Sequence, residues 1–237
     1  MKTILVTGFE PFGGEQRNPS QEIALALHGR TLAGRRVVGA VLPCVFGESI
    51  VGLKKLLRTH RPELVVCLGQ ADGRADITPE LVAINVDDAR IPDNAGAQPV
   101  DRPVVRGGPA AYWSTLPLKA IVATLRARGL PASVSQTAGT FVCNHLFYGL
   151  MHALRGRRSV RGGFIHVPLL PEQTKRSQPS LPLEKMIEGI LIALNVPAIK
   201  GKASIRLPTV PARRRPDNYP PGSRKPAPCP GRLPRQG

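Results

Sequence analysis

One cysteine in this chain stands where a cysteine can become a nucleophile. Cys143 follows Thr137-Ala138-Gly139-Thr140-Phe141-Val142, and Val142, Leu146, Leu150 and Leu154 recur every four residues, the period of one helix face. That spacing puts Cys143 in the first turn of a helix, where unpaired backbone N–H groups and the positive end of the macrodipole favour a thiolate. A thiol nucleophile needs a base within hydrogen-bond reach, and the base needs a third group to fix its tautomer. Two further side chains fall at the ends of sheet elements: His166, near the end of the apolar run Gly163–Val167, and Glu80, just ahead of Leu81-Val82-Ala83-Ile84. Glu80, Cys143 and His166 supply the three residue types that acyl transfer through a thiol requires. The competing reading makes Cys143 an ordinary core residue, because free cysteine is among the most buried residue types.

The other histidines fit this chemistry less well. His28 and His60 fall at helix ends, where a solvated or dipole-complementing role is the default. His145 and His152 lie on the helix of Cys143, and His145 is only two positions away, so the two side chains point to different faces. Metal catalysis is disfavoured: there is no H-E-x-x-H and no compact His/Cys/carboxylate cluster, so neither a metal nor a cofactor is expected.

The elements that must position these groups alternate. Thr3–Thr7 reads as a β-branched first strand, followed by the loop Gly8-Phe9-Glu10-Pro11-Phe12-Gly13-Gly14, which lacks the spacing of a phosphate cradle. Asn18-Pro19-Ser20-Gln21 is a helix start, with Asn at the cap and Pro at the first helical position, and this helix runs to about His28. Strands are expected at 36–42, 63–68, 132–136 and 163–167. Helices are expected at 47–60, 118–128, 142–154 and, capped by Ser180, from there to Leu194. Residues 78–85 include a strand-like segment, and 97–117, rich in Pro and Gly, are expected to be irregular. Glu63–Leu68 is apolar throughout, as a buried parallel strand should be, and leads into Gly69-Gln70-Ala71-Asp72-Gly73 at its carboxyl end. Strands alternating with helices predict an α/β fold: a single-domain three-layer α/β/α sandwich with a mainly parallel twisted sheet.

Composition narrows the function classes. The chain has 237 residues, 42% of them apolar and 4% aromatic, enough for one core but poor in the rings that stack on nucleic acid bases. The net charge of +17 is uneven: residues 200–237 carry +9 of it, together with nine prolines and Arg213-Arg214-Arg215. That segment is expected to be a disordered basic tail, since it cannot bury enough surface to offset its ordering entropy. The predicted organisation is therefore a folded domain over 1–199 and a tail over 200–237. Nucleic-acid binding is the reading that the charge alone motivates, but no recognition motif accompanies it, and no specific nucleic-acid partner is expected. There is no run of 18 apolar residues, and the start of the chain reads as a strand rather than a signal peptide. Four scattered cysteines (44, 67, 143 and 229), without a C-x-x-C pair, fit the reducing cytoplasm and no membrane association.

Eight segments in order carry a resemblance: TGFEPFGG at 7–14, NPS at 18–20, LP-x-VFG at 42–47, GQA at 69–71, TPE-x-VAIN at 78–85, DDARIPDN at 87–94, SQTAGTFVCNHLFYGLMH at 135–152 and GFIHVPLLPEQ at 163–173. The chain resembles the pyroglutamyl peptidase I family, the pyrrolidone-carboxylate peptidases, which are cysteine omega-peptidases. The resemblance covers about residues 1–194 and departs at Asn195-Val196-Pro197. It implies removal of an N-terminal pyroglutamyl residue from peptides through a thioacyl intermediate, with Glu80, Cys143 and His166 as the triad. It further implies an apolar pocket walled by Phe9, Phe12, Ile91, Phe141 and Val142, with Asn18 and Gln70 contacting the lactam and Arg90 close by. A core role competes for Phe9, Ile91 and Val142, a helix cap for Asn18, and a loop ion pair with Asp87 or Asp88 for Arg90. The resemblance also implies a homo-oligomer, dimer or tetramer. A catalytically impaired relative acting as an interaction protein is the alternative.

Overall fold

The computed structural model describes residues 2–174 and 178–197. The expected tail and Cys229 lie outside the described residues. The first strand, β1 (Thr3–Phe9), sits in a six-stranded sheet with β2 (Thr31–Leu32), β3 (Arg35–Leu42), β4 (Leu64–Gln70), β5 (Thr78–Pro79) and β8 (Arg161–Val167), in the order β2-β3-β1-β4-β8-β5. The four central strands, β3, β1, β4 and β8, pair in parallel, and the edge strands β2 and β5 are antiparallel. A separate antiparallel ribbon is formed by β6 (Val82–Ile84) and β7 (Ala111–Trp113).

Alternation along the strands builds two cores. Ile4, Val6, Leu64, Val66, Leu68, Ile165 and Val167 face one side, where α1 (Pro19–Leu27), α3 (Leu118–Ala127) and α5 (Leu183–Asn195) pack. Leu5, Val65, Cys67 and Phe164 face the other, under α2 (Glu48–His60) and α4 (Val142–Leu154). The chain is a single-domain α/β fold of three layers, as its pattern predicts. His166 follows Phe164 by two residues and so faces α4.

Two glycines set how closely α1 can approach. A Cβ on Gly39 would stand 1.8 Å from the carbonyl oxygen of Ala24, and one on Gly8 would stand 2.0 Å from that of Ser20. Asn18 begins this helix as expected: its Oδ1 accepts from the Ser20 N–H at 3.0 Å and the Ser20 hydroxyl at 2.7 Å, a cap of about 1 kcal/mol. Ser20 in turn accepts from the Phe9 N–H, which ties the loop after β1 to the helix.

Three expectations need correction. Residues 132–136 form no strand: only the isolated bridges of Ala132 to Ile77 and Ser135 to Glu80 remain, because Pro131 and the polar Ser133 and Ser135 interrupt an apolar run. Residues 97–117 are not wholly irregular, since Ala111–Trp113 pairs with β6. The last helix starts after Pro182 rather than at Ser180, which instead bridges to Leu169 and is held by the Leu181 N–H to the Leu169 carbonyl.

Gly39→Ala would force its new methyl into a backbone carbonyl rather than a movable side chain. We expect a loss of about 3 kcal/mol or more in urea-induced unfolding, at the upper end of overpacking costs.

Candidate functional site

The parallel register brings the site together. Gly69 of β4 lies opposite His166 of β8, and Gln70 lies opposite Val167, so the carboxyl ends of both strands finish at one level. The antiparallel strand β5 returns along β8, pairing Thr78 with His166 and Pro79 with Ile165. Glu80 follows at once. Its backbone N–H donates to the Phe164 carbonyl at 2.9 Å, which holds its side chain beside the imidazole.

His166 Nδ1 lies 2.7 Å from Glu80 Oε1, and both side chains are buried. An ionised carboxylate can only accept, so Nδ1 carries the hydrogen and Nε2 is left as the basic nitrogen. Burial pushes the Glu80 pKa up. The hydrogen bond from His166, the charge on that ring, Ser135 and Arg74 outweigh burial and hold the carboxyl below its ordinary value. Burial moves His166 the other way, lowering it, and Glu80 only partly restores it, so the imidazole titrates below 6.5.

Cys143 is the second residue of α4, 9% exposed. Its sulfur overhangs β4: a Cβ on Gly69 would stand 2.9 Å from Sγ and 2.8 Å from the ring of Phe164. The glycine is therefore the clearance that lets the thiol sit over the strand next to His166. Burial, followed by the Glu80 charge, pushes the Cys143 pKa up to about 12, while Arg74 and the residue's own N–H pull it down. In this state thiol and imidazole are both neutral.

The start of α4 is open. Phe141 occupies the cap position and makes no side-chain cap, and the helical ladder begins with the His145 N–H to the Phe141 carbonyl. The N–H groups of Val142, Cys143 and Asn144 are thus among the donors that a helix N-terminus leaves without an intrahelical partner.

The expected pocket residues divide. Phe12 and Phe141 meet with ring centroids 5.9 Å apart, and Ile91, 36% exposed, lies against the Gly13 turn, so these three can offer apolar surface. Phe9 and Val142 are fully enclosed in the core under α4, which leaves them no surface toward a ligand in this conformation. Asn18 is also enclosed: its Oδ1 serves the α1 cap and its Nδ2 donates to the Glu10 carbonyl, leaving one amide hydrogen uncommitted. Gln70 is half-buried at the end of β4, and its Oε1 accepts from Gln173 Nε2 at 3.0 Å. Arg90 is exposed and forms no ion pair with Asp87 or Asp88. Asp87 instead takes Nδ1 of His145 at 2.8 Å.

Several participants are not singled out by periodicity or residue type, although Phe46 and Gln173 fall within the segments LP-x-VFG and GFIHVPLLPEQ. Phe46 packs edge-on against Phe141, centroids 5.5 Å apart, and against His145, whose Nε2 accepts from the Gly47 N–H at 2.8 Å. The buried Asp87–His145 pair is thus a strut that fixes the Phe46 turn over the start of α4. Gln173 brackets Gln70 by donating to both its Oε1 and the Arg17 carbonyl. Arg74 reaches Glu80 Oε1 at 2.7 Å. No group of three or more His, Cys, Asp or Glu suited to a metal ion occurs among the described residues.

Comparisons with known proteins bear on this arrangement. The family model described as pyroglutamyl peptidase matches residues 2–200. A pyrrolidone-carboxylate peptidase of Bacillus cytotoxicus is 58% identical over 199 residues, which are 83% of this chain and 93% of the relative. The crystal structure of pyroglutamyl peptidase I from Bacillus amyloliquefaciens superposes with a TM-score of 0.79 at 51% identity, covering 81% of this chain and 95% of that one. The pyrrolidone carboxyl peptidase of Thermococcus litoralis does so at 0.79 and 40% identity, over 82% and 92%.

Asp87→Ala would leave the His145 Nδ1–H without its acceptor inside the protein. Urea denaturation should register a loss of about 2 kcal/mol, the cost of an unsatisfied buried donor.

Proposed function

This chain belongs to the pyroglutamyl peptidase family, and from that membership we propose that Cys143, His166 and Glu80 carry its reaction as nucleophile, base and orienting carboxylate. The chain is a cysteine omega-peptidase that removes an N-terminal pyroglutamyl residue from peptides. The observation that supports these three roles best is the 2.7 Å contact of His166 Nδ1 with a buried carboxylate, one strand away from the glycine over which Sγ sits.

In this reading the Cys143 thiol attacks the carbonyl carbon of the bond that joins pyroglutamate to the next residue. The S–H proton passes to His166 Nε2 as the C–S bond forms, and Glu80 steadies the imidazolium. The oxyanion takes hydrogen bonds from the N–H groups at the start of α4. His166 then gives its proton to the leaving amine, the C–N bond breaks, and a thioester of Cys143 remains. Water, deprotonated by His166, attacks that thioester and releases pyroglutamic acid and the thiol.

Pyroglutamate is a small, flat, neutral lactam, and a site for it should be apolar with few polar contacts. Phe12, Phe141 and Ile91 are read as its walls and the Gln70 amide as its main hydrogen-bond donor, with Asn18 offering one further hydrogen. Phe9 and Val142 support the walls from beneath. Arg90, free of other ion pairs, stays in this reading as a residue at the rim. The same reading makes the protein a cytoplasmic homo-oligomer. The free thiols of Cys44, Cys67 and Cys143 and the exposed Leu25, Val51 and Trp113 are in keeping with it. Among the described residues no helix is long and apolar enough to cross a membrane.

The decisive assay is release of a fluorescent amine from a pyroglutamyl amide under reducing conditions. The wild-type protein should turn over, Cys143→Ala should show none, and turnover by Cys143→Ala would refute the assignment of the nucleophile. Gly69→Ala should lower kcat/KM on the order of 100-fold, because its methyl displaces Sγ from the attack geometry. In a pH series, activity should fall on the acid side as His166 becomes protonated. Since burial lowers the His166 pKa, the midpoint of that limb in kcat/KM should lie below 6.5, and a midpoint above it would contradict the neutral imidazole.

A further inference from the structure

We propose that Arg74 is a positioning residue of the peptidase reaction: its guanidinium fork fastens Glu80 to the loop that delivers Cys143, without touching substrate. The inference rests on the triad reading above. Arg74 lies in the turn between β4 and β5, and the sequence pattern gave it no role. Its Nη1 donates to Glu80 Oε1 at 2.7 Å and to Thr78 Oγ1 at 2.8 Å, and its Nη2 donates to the Thr137 carbonyl at 3.1 Å. One planar group thus joins strand β5, the orienting carboxylate and the first residue of the run that leads to α4.

That run is otherwise held by a local turn and by the Asp88 backbone. Thr137 Oγ1 accepts from the Gly139 N–H, Gly139 has φ +76°, and Thr140 exchanges hydrogen bonds with the backbone of Asp88. The Ser135 hydroxyl adds a second donor to the Thr137 carbonyl that Arg74 holds. Moving Thr137 would move Phe141 and the open N–H groups of α4. A lysine could supply the charge but not the fork, because its ammonium is a point donor that cannot span Glu80 and Thr137 in one plane.

The charge matters separately from the fork. Glu80 is wholly buried, and a carboxylate in that setting loses the solvation that favours its charge. The hydrogen bond from His166 offsets part of that loss, and the same oxygen also accepts from a second, cationic donor. Arg74 is that donor. Its side chain is 28% exposed at the floor of a surface cleft of about 450 Å³, shared with Ala75, Asp76, Thr78, Ser133 and Ser135. The other titratable groups around the assembly are Asp76 in the cleft, His166 on β8, Cys67 on β4 and Cys143 on α4. Asp76 makes no ion pair with Arg74, and the Arg74 charge disfavours the imidazolium and favours the thiolate.

The test compares Arg74→Met and Arg74→Lys with wild type, Cys143→Ala and His166→Ala on the pyroglutamyl amide, across pH. Arg74→Met should lose about 10- to 100-fold in kcat with KM changed less than about threefold, since positioning and not substrate contact is removed. Removing the cation raises the pKa of His166, so the acid limb of kcat/KM should move to higher pH. Arg74→Lys should restore the position of that limb but only part of kcat. Wild-type kcat and an unmoved limb in Arg74→Met would overturn the proposal. So would a loss matched by loss of folded protein, read by circular dichroism and active-site titration, with the limb unmoved. Activity surviving in Cys143→Ala or His166→Ala would instead strike down the triad reading itself, so the two failures are separable.

Discussion

A carboxylate without solvent is the constraint on which the site depends. Glu80 has no exposed surface, and its Oε1 serves both His166 and Arg74 at 2.7 Å. Both donors offset the cost of stripping water from the charge, His166 more than Arg74, and the carboxyl is held below its ordinary pKa. Ionised, Glu80 dictates which nitrogen of His166 carries the hydrogen, and the tautomer dictates which nitrogen can take a proton from a thiol. The order of strands follows the same need. Placing β5 antiparallel on the edge beside β8 lets the chain turn back at the right level to present a glutamate to a histidine 86 residues away in sequence.

The thiol is governed by packing before electrostatics. Cys143 sits in a helix that is buried along most of its length, against strands whose inward residues are Cys67 and Phe164, and only a glycine at position 69 leaves room for its sulfur. The same burial keeps the thiol protonated and the imidazole neutral at rest. Such a site stores no standing ion pair. In the proposed mechanism it relies on a base fixed in the correct tautomer and on helix N–H groups that become useful only when negative charge appears on the substrate oxygen.

Much of this is legible from residue types and spacing, and the reason is periodicity. The four-residue recurrence of Val142, Leu146, Leu150 and Leu154 locates α4 with the boundaries it has, so the turn that bears Cys143 needs no further information. The apolar runs that became β4 and β8 locate Gly69 and His166 at strand ends in the same way. What periodicity cannot express is which polar groups meet across the fold. Arg74, Phe46 and Gln173 act through partners 6, 95 and 103 residues distant, and periodicity marks none of them. The segment 132–136 misleads for the converse reason: its apolar residues are spaced like a strand, yet the adjoining proline and interleaved serines leave it only bridges to hold. The burial of Phe9 and Val142 is likewise a tertiary fact, since a phenylalanine in a glycine-rich loop reads equally well as wall or as core.

The account turns on a covalent bond between one sulfur and the substrate acyl group. Mass spectrometry of protein quenched in acid during turnover of a pyroglutamyl amide reads that bond directly. The prediction is a pyroglutamyl adduct on the proteolytic fragment containing Cys143, absent from the same fragment of Cys143→Ala. An adduct on Cys44 or Cys67 instead, or full turnover with no acyl-protein at any quench time, would contradict it.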